Sequence, residues 1–189
     1  MHRPAPSDPD RPSGAVRVDA RTKKLTKRLQ AGEIAVIDHT DLDRVAAEAL
    51  VEARPAAVLN AAPSVSGRYP NLGPGILLDA DVPLIDDLGP DIMRLHEGQH
   101  VEVDIDGEGD EAAKVRVAGE SGVLAEGVLQ TRRTIEAAMD AAREGLSVQL
   151  EAFAANTMDY LRGERDLLLN GVGVPEIRTQ MSGRHVLIV

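Results

Sequence analysis

The sequence predicts an α/β fold, with a small mixed sheet, a β-hairpin subregion and a long C-terminal helix. Three observations support this. Short apolar runs at residues 33–38 (EIAVID) and 57–59 (AVL) enclose a stretch with helical spacing, the strand–helix–strand order of a sheet covered by helices. Residues 100–105 (HVEVDI) and 113–117 (AKVRV) then alternate apolar and polar positions, as a half-buried hairpin requires. Finally, residues 128–162 contain no proline and are rich in helix formers.

Taken in order, residues 1–20 carry four prolines among alternating charges and read as a disordered tail. Residues 21–29 (RTKKLTKRL) place Leu25 and Leu29 four apart among five basic side chains, which predicts a short helix or turn with a solvated basic face. After the first strand, Thr40-Asp41-Leu42-Asp43 fits a capping box with Thr40 as the cap. The helix it opens extends to about Ala53, with Leu42, Val45, Ala46, Ala49 and Leu50 on one face. Pro55 ends it, and residues 57–59 form the second strand.

Beyond a long loop, residues 75–80 predict a short helix, 82–85 (VPLI) a third strand and 90–95 a helical turn. The hairpin at 100–117 turns through DGEGDE, and residues 122–125 offer one more strand. A helix over 128–162 would reach roughly 50 Å. Gly145 weakens it by ~1 kcal/mol relative to alanine. Gly171 and Gly173 mark a loop, and 184–189 (RHVLIV) reads as a strand cut at a domain boundary. The expected organisation is a tail (1–20), an α/β domain (21–127), a helical arm (128–165), and a linker with the first strand of a further domain (166–189).

Composition narrows the function classes. The 189 residues are 43% hydrophobic, which is enough for a core, but only 2% aromatic, with a net charge of −10. Few aromatics and an acidic balance argue against nucleic acid, which calls for stacking faces and a basic surface. The absence of cysteine removes disulfides, thiolate metal sites and thiol nucleophiles. The N-terminus has no apolar signal segment, and no run approaches the roughly 18 apolar residues of a membrane span. A soluble, cytoplasmic chain is the expectation.

The candidate site is the loop at 60–75 (NAAPSVSGRYPNLGPG), since long structureless connections in compact domains tend to bind or move. Ser64, Ser66, Gly67, Arg68, Tyr69 and Asn71 are its candidate residues. In one reading they form a recognition surface for a small anion or a protein partner, with Arg68 supplying charge-assisted hydrogen bonds. In the other, the hydroxyls and amide satisfy the loop's own backbone. Asp38, His39, Asp41 and Asp43 read as helix-start chemistry rather than as metal ligands. Gly73-Pro74-Gly75 lacks the dinucleotide fingerprint. Along the long helix, Ile135, Met139, Ala142, Leu146, Phe153 and Tyr160 recur near a 3–4 spacing. They would seam a homodimer or pack the helix as an internal strut, and the homodimer is the preferred reading.

Residues 35–50 (AVIDHTDLDRVAAEAL), 60–74 (NAAPSVSGRYPNLGP), 82–86 (VPLID) and 184–189 (RHVLIV) resemble the N-terminal region of SteA-type cytokinetic ring proteins. The resemblance implies a role in cell division or daughter-cell separation, with a protein partner and no reaction assigned to this portion. It also implies a downstream thiamin-pyrophosphokinase-like domain, where any nucleotide would bind, and a later membrane segment at the septum. Two alternatives remain: an accessory domain of such a nucleotide-binding enzyme, or a phosphate- or metabolite-sensing module. The element order also resembles the swivelling phosphohistidine domain of phosphoenolpyruvate-using enzymes. No histidine lies between His39 and His96, so the phosphate-carrying side chain of that domain has no counterpart in the loop.

Overall fold

The computed structural model describes residues 11–68, 71–105, 111–170 and 182–183. The chain divides into two compact units, Met1–Leu146 and Ser147–Val189. Among the described residues of the first unit, seven strands close into a barrel. They are β1 (Ser13–Val18), β2 (Ile34–Ile37), β3 (Ala57–Asn60), β4 (Leu84–Asp86), β5 (His100–Ile105), β6 (Ala112–Val117) and β7 (Val123–Leu129), in the spatial order β1-β2-β3-β4-β7-β6-β5. The mixed α/β character and the long C-terminal helix are as the sequence predicts. The sheet, however, is a closed barrel, and the hairpin is part of it rather than a subregion.

Three of the seven strand pairings are parallel and four antiparallel, and the sequence pattern of each part has a physical cause. Strands β1 to β4 pair in parallel, joined by α1 (Thr22–Leu25), α2 (Arg44–Ala53) and α3 (Gly73–Asp79). Ile34, Val36, Ala57, Leu59 and Ile85 point into the barrel. The alternate residues Ala35, Ile37, Val58 and Leu84 pack outward against Leu25, Leu42, Ala47, Leu50 and Leu77. Both faces of β2, β3 and β4 are buried, so these three strands read as continuous apolar runs. The antiparallel strands β5 to β7 send Val101, Val103, Ala113 and Val115 inward and Glu102 and Lys114 outward, which produces the alternation.

Closure depends on β1, which lies within the stretch expected to be tail. It pairs in parallel with β2 and antiparallel with β5, with Val16 fully buried. Only one of its six residues is buried, so its apolar signal is faint beside the proline-rich stretch before it. Residues 1–10 lie outside the described residues, as do the turn at 106–110, Gly171, Gly173 and the expected strand at 184–189.

Two helix starts also differ from expectation. Asp43, not Thr40, caps α2, accepting the Ala46 N–H at 2.8 Å. Asp41 takes a left-handed conformation (φ 54°), which turns the chain before the helix and moves its start past Thr40. The buried face of α2 is consequently Ala47 and Leu50, while Val45 is 76% exposed. The long helix α4 (Arg132–Asn170) begins after β7, so Val128 and Leu129 are strand rather than helix. At its start the Thr131 hydroxyl accepts the Thr134 N–H (3.3 Å) and the Thr134 hydroxyl accepts the Thr131 N–H (2.9 Å). This reciprocal cap satisfies two backbone donors at the helix entrance.

Candidate functional site

The loop singled out in the sequence leaves the carboxyl end of β3, beside the ends of β2 and β4. In α/β sheets this end of the parallel strands is where loops converge and ligands commonly sit. Here the convergence is built around Asn60, Ser64 and Asp86, each almost fully buried. Asn60 ends β3 and bridges to the β2 end, accepting the His39 N–H (2.9 Å) and donating its amide to the His39 carbonyl (3.0 Å). The same amide nitrogen lies 3.1 Å from Ser64 Oγ and 3.2 Å from the Asp86 carboxylate. Asp86 ends β4, and it receives the Ser64 hydroxyl at 2.6 Å and the Ser64 N–H at 3.0 Å. Burial pushes the Asp86 carboxyl up to about 6, against the hydrogen bonds from Ser64 and Asn60, which favour the charged form.

A second anchor sits nearer the surface. Both oxygens of Asp41 are occupied by Ser66, one by its N–H (2.7 Å) and one by its hydroxyl (2.8 Å). Backbone bonds from Asp41 N–H to Pro63 and from Leu42 N–H to Ser64 run alongside. Asn71 donates its amide to the Ser64 carbonyl at 2.9 Å, and its own N–H faces Met139 Sδ of α4 at 3.3 Å. The loop then enters α3 through Gly73, where a Cβ would lie 2.1 Å from the Leu42 carbonyl oxygen. Only glycine fits that approach.

Of the six candidate loop residues, Ser64, Ser66 and Asn71 are thus engaged within the protein; Asn71 bonds the loop's own backbone, as the self-satisfying reading expects, whereas the two hydroxyls donate to carboxylates outside the loop, Asp86 and Asp41. Gly67 supplies a left-handed turn (φ 78°). Arg68 is exposed, and its side chain makes no hydrogen bond or ion pair among the described residues. Tyr69 lies outside them. Sequence reasoning missed Asn60 and Asp86 as the centre of the network. The available signal was one polar residue closing each buried strand (AVLN and LID), a position where a side chain must find a partner.

The residues proposed for self-association separate into two groups. Ile135 and Ala142 are buried within the first unit, and Met139 and Leu146 are half-buried there. Phe153 and Tyr160 belong to the second unit and are 69% and 67% exposed. No described side chain from Ser147 onward is buried. Among the described residues, no group of histidines and carboxylates could hold a metal ion, and no helix is long and apolar enough to cross a membrane.

The fold and site define a small α/β barrel with an internally braced loop and a helical extension. No family model, curated protein or solved structure matches the chain.

Proposed function

We propose that this chain is the non-catalytic interaction region of a bacterial cell-division protein and that it works by pairing with a second copy through α4. The observation that carries this reading is the apolar face beyond Leu146. Leu150, Phe153, Tyr160 and Leu161 recur at helical spacing and are all more than half exposed. Exposed apolar surface of this kind marks interaction sites, and each buried Å² contributes about 25 cal/mol to association. Long helices generally draw their stability from packing an apolar face rather than from propensity alone. Ile135 and Ala142 serve as internal packing, so the dimer seam is Leu150 to Leu161 rather than the longer stripe.

The resemblance to SteA-type proteins supplies the cellular setting, namely cytokinesis, a division partner and a septal location through a later membrane segment. Any nucleotide would belong to the downstream kinase-like domain. Within this chain the loop acts as a scaffold that presents Arg68.

The absence of cysteine makes a direct test possible. A single cysteine in place of Thr157, on the Phe153–Tyr160 face, should form a copy-to-copy disulfide readily on mild oxidation. A cysteine in place of Val148, half a turn away from that face, should not. Equal cross-linking at both positions would overturn the proposed seam.

A further inference from the structure

Past Asn60 and Ala61, the loop is fastened to β4 at a single residue. Among the described residues, the bonds from 62–68 and Asn71 to β4 both join Ser64 to Asp86, through the hydroxyl (2.6 Å) and the N–H (3.0 Å). The other ties run elsewhere. Ser66 bonds Asp41, the Pro63 and Ser64 carbonyls accept from the 41–42 backbone, and Asn71 reaches Met139 and the loop's own backbone. Gly67 follows in its left-handed turn and leads to Arg68. Releasing Ser64 from Asp86 therefore detaches the loop from β4 without breaking any strand pairing of the barrel.

The group at this fastening is ionisable and buried. Asp86 is 2% exposed, and its donors, Ser64 and Asn60, are both uncharged. The charged groups on the surrounding elements are Asp87 on its own strand end, Asp38, His39 and Asp41 after β2, Arg68 in the loop, and Glu126 on β7, whose Val128 pairs with Asp86. Asp87 opposes ionisation of its neighbour. Asp38, Arg68 and Glu126 are exposed, the His39 ring bonds Thr22, and the Asp41 carboxylate is taken by Ser66. Neutral donors only partly replace the water that a buried carboxylate gives up, so the site favours the protonated form. Protonation keeps the link, because a proton on Asp86 can be donated to Ser64 Oγ across the same 2.6 Å.

We propose that Asp86 is a proton-operated latch: its neutral carboxyl keeps Ser64 fastened to β4, and its ionisation frees residues 62–68, Arg68 included, to leave that strand. Linkage gives the direction. Opening the loop exposes the carboxyl to water, where it takes its ordinary value of 3.8, whereas in the closed loop burial raises it to about 6. The closed loop binds the proton more tightly. Its advantage is therefore full below about pH 4 and is lost as pH rises through 6, a fall on the order of a hundredfold in the closed-to-open ratio. The functional consequence rests on the reading of the loop as the scaffold of Arg68. The latch itself is measured without any ligand of Arg68 and without α4 pairing, so each reading can fail alone.

The test is amide hydrogen exchange on the full chain, with rates divided by the intrinsic rate at each pH. The opening ratio at the Ser64 N–H should rise about tenfold or more between about pH 4 and about pH 7, with little dependence on dilute urea. It should exceed the ratio at the Val58 N–H, which bonds the Pro83 carbonyl at 2.8 Å within the sheet and reports opening of the barrel. Asp86→Asn should flatten the Ser64 profile. In the unsubstituted chain, the Asp86 carboxyl carbon followed by NMR should titrate over the same pH range as the Ser64 opening. A Ser64 ratio that is flat with pH, or equal to that of Val58 throughout, overturns the latch. So does a rise that persists in Asp86→Asn, or a carboxyl that titrates as an exposed aspartate does.

Discussion

Ser64 holds Asp86 with two hydrogen bonds, its hydroxyl on one carboxylate oxygen at 2.6 Å and its N–H on the other at 3.0 Å. This pair joins the β3–α3 loop to the end of β4, and Asn60 ties both to the end of β2. Ser64→Ala removes the shorter bond and leaves a buried carboxylate short of a donor. The expected cost is about 1–3 kcal/mol in urea denaturation. A loss within experimental error would mean that water or another donor replaces the hydroxyl.

The same carboxyl sets a pH dependence. Its folded-state value of about 6 lies above the 3.8 of an unperturbed aspartate, so the folded protein binds this proton more tightly than the unfolded chain. The Asp86 contribution to stability should therefore be largest below about pH 4 and decline as pH rises through 6, by about 2–3 kcal/mol in all. Glu33 runs the other way. Hydrogen bonding to Arg17 holds its carboxyl below the usual range, so its contribution is present above that range and lost toward acid. Subtracting the profile of Asp86→Asn from that of the parent isolates the Asp86 term. A difference that is flat between pH 4 and 7 would refute it.

Helix α2 offers a paired comparison. Asp43→Ala should cost about 1 kcal/mol through loss of the cap to Ala46. Thr40→Ala should be within about 0.5 kcal/mol of neutral, because Thr40 is exposed and does not cap the helix. The reverse order would restore the capping box expected from the sequence.

Glycines at the start of α3 separate in the same way. Gly73→Ala drives a methyl into the Leu42 carbonyl and should destabilise by about 1–3 kcal/mol or more, shifting the thermal midpoint down. Gly75 has open space around it, and Gly75→Ala should leave the midpoint unchanged or raise it slightly.

These contrasts show where the sequence was readable. Strands β2 and β3 and helix α2 were legible because helices cover the outer face of a parallel strand, which makes it apolar throughout. The hairpin was legible because β5 and β6 face water on one side. Barrel closure was not, because it depends on β1 meeting β5 and β4 meeting β7 across long sequence separations, and neither meeting leaves a local pattern. The loop could be recognised by its composition, but its anchors could not. Asp86 lies 22 residues from Ser64, and Asp41 lies 25 from Ser66. Val45 was assigned to the wrong face because the left-handed turn at Asp41 changes the helix phase, and apolar spacing alone does not report that turn.

The central proposal is that the apolar face of α4 beyond Leu146 pairs two copies of the chain. Light scattering at tens of micromolar measures this most directly. The parent chain should show twice the mass of one chain, and a variant carrying Phe153→Glu and Tyr160→Glu, both exposed positions, should show the mass of a single chain. A monomeric parent, or a dimer that survives both glutamates, would contradict it.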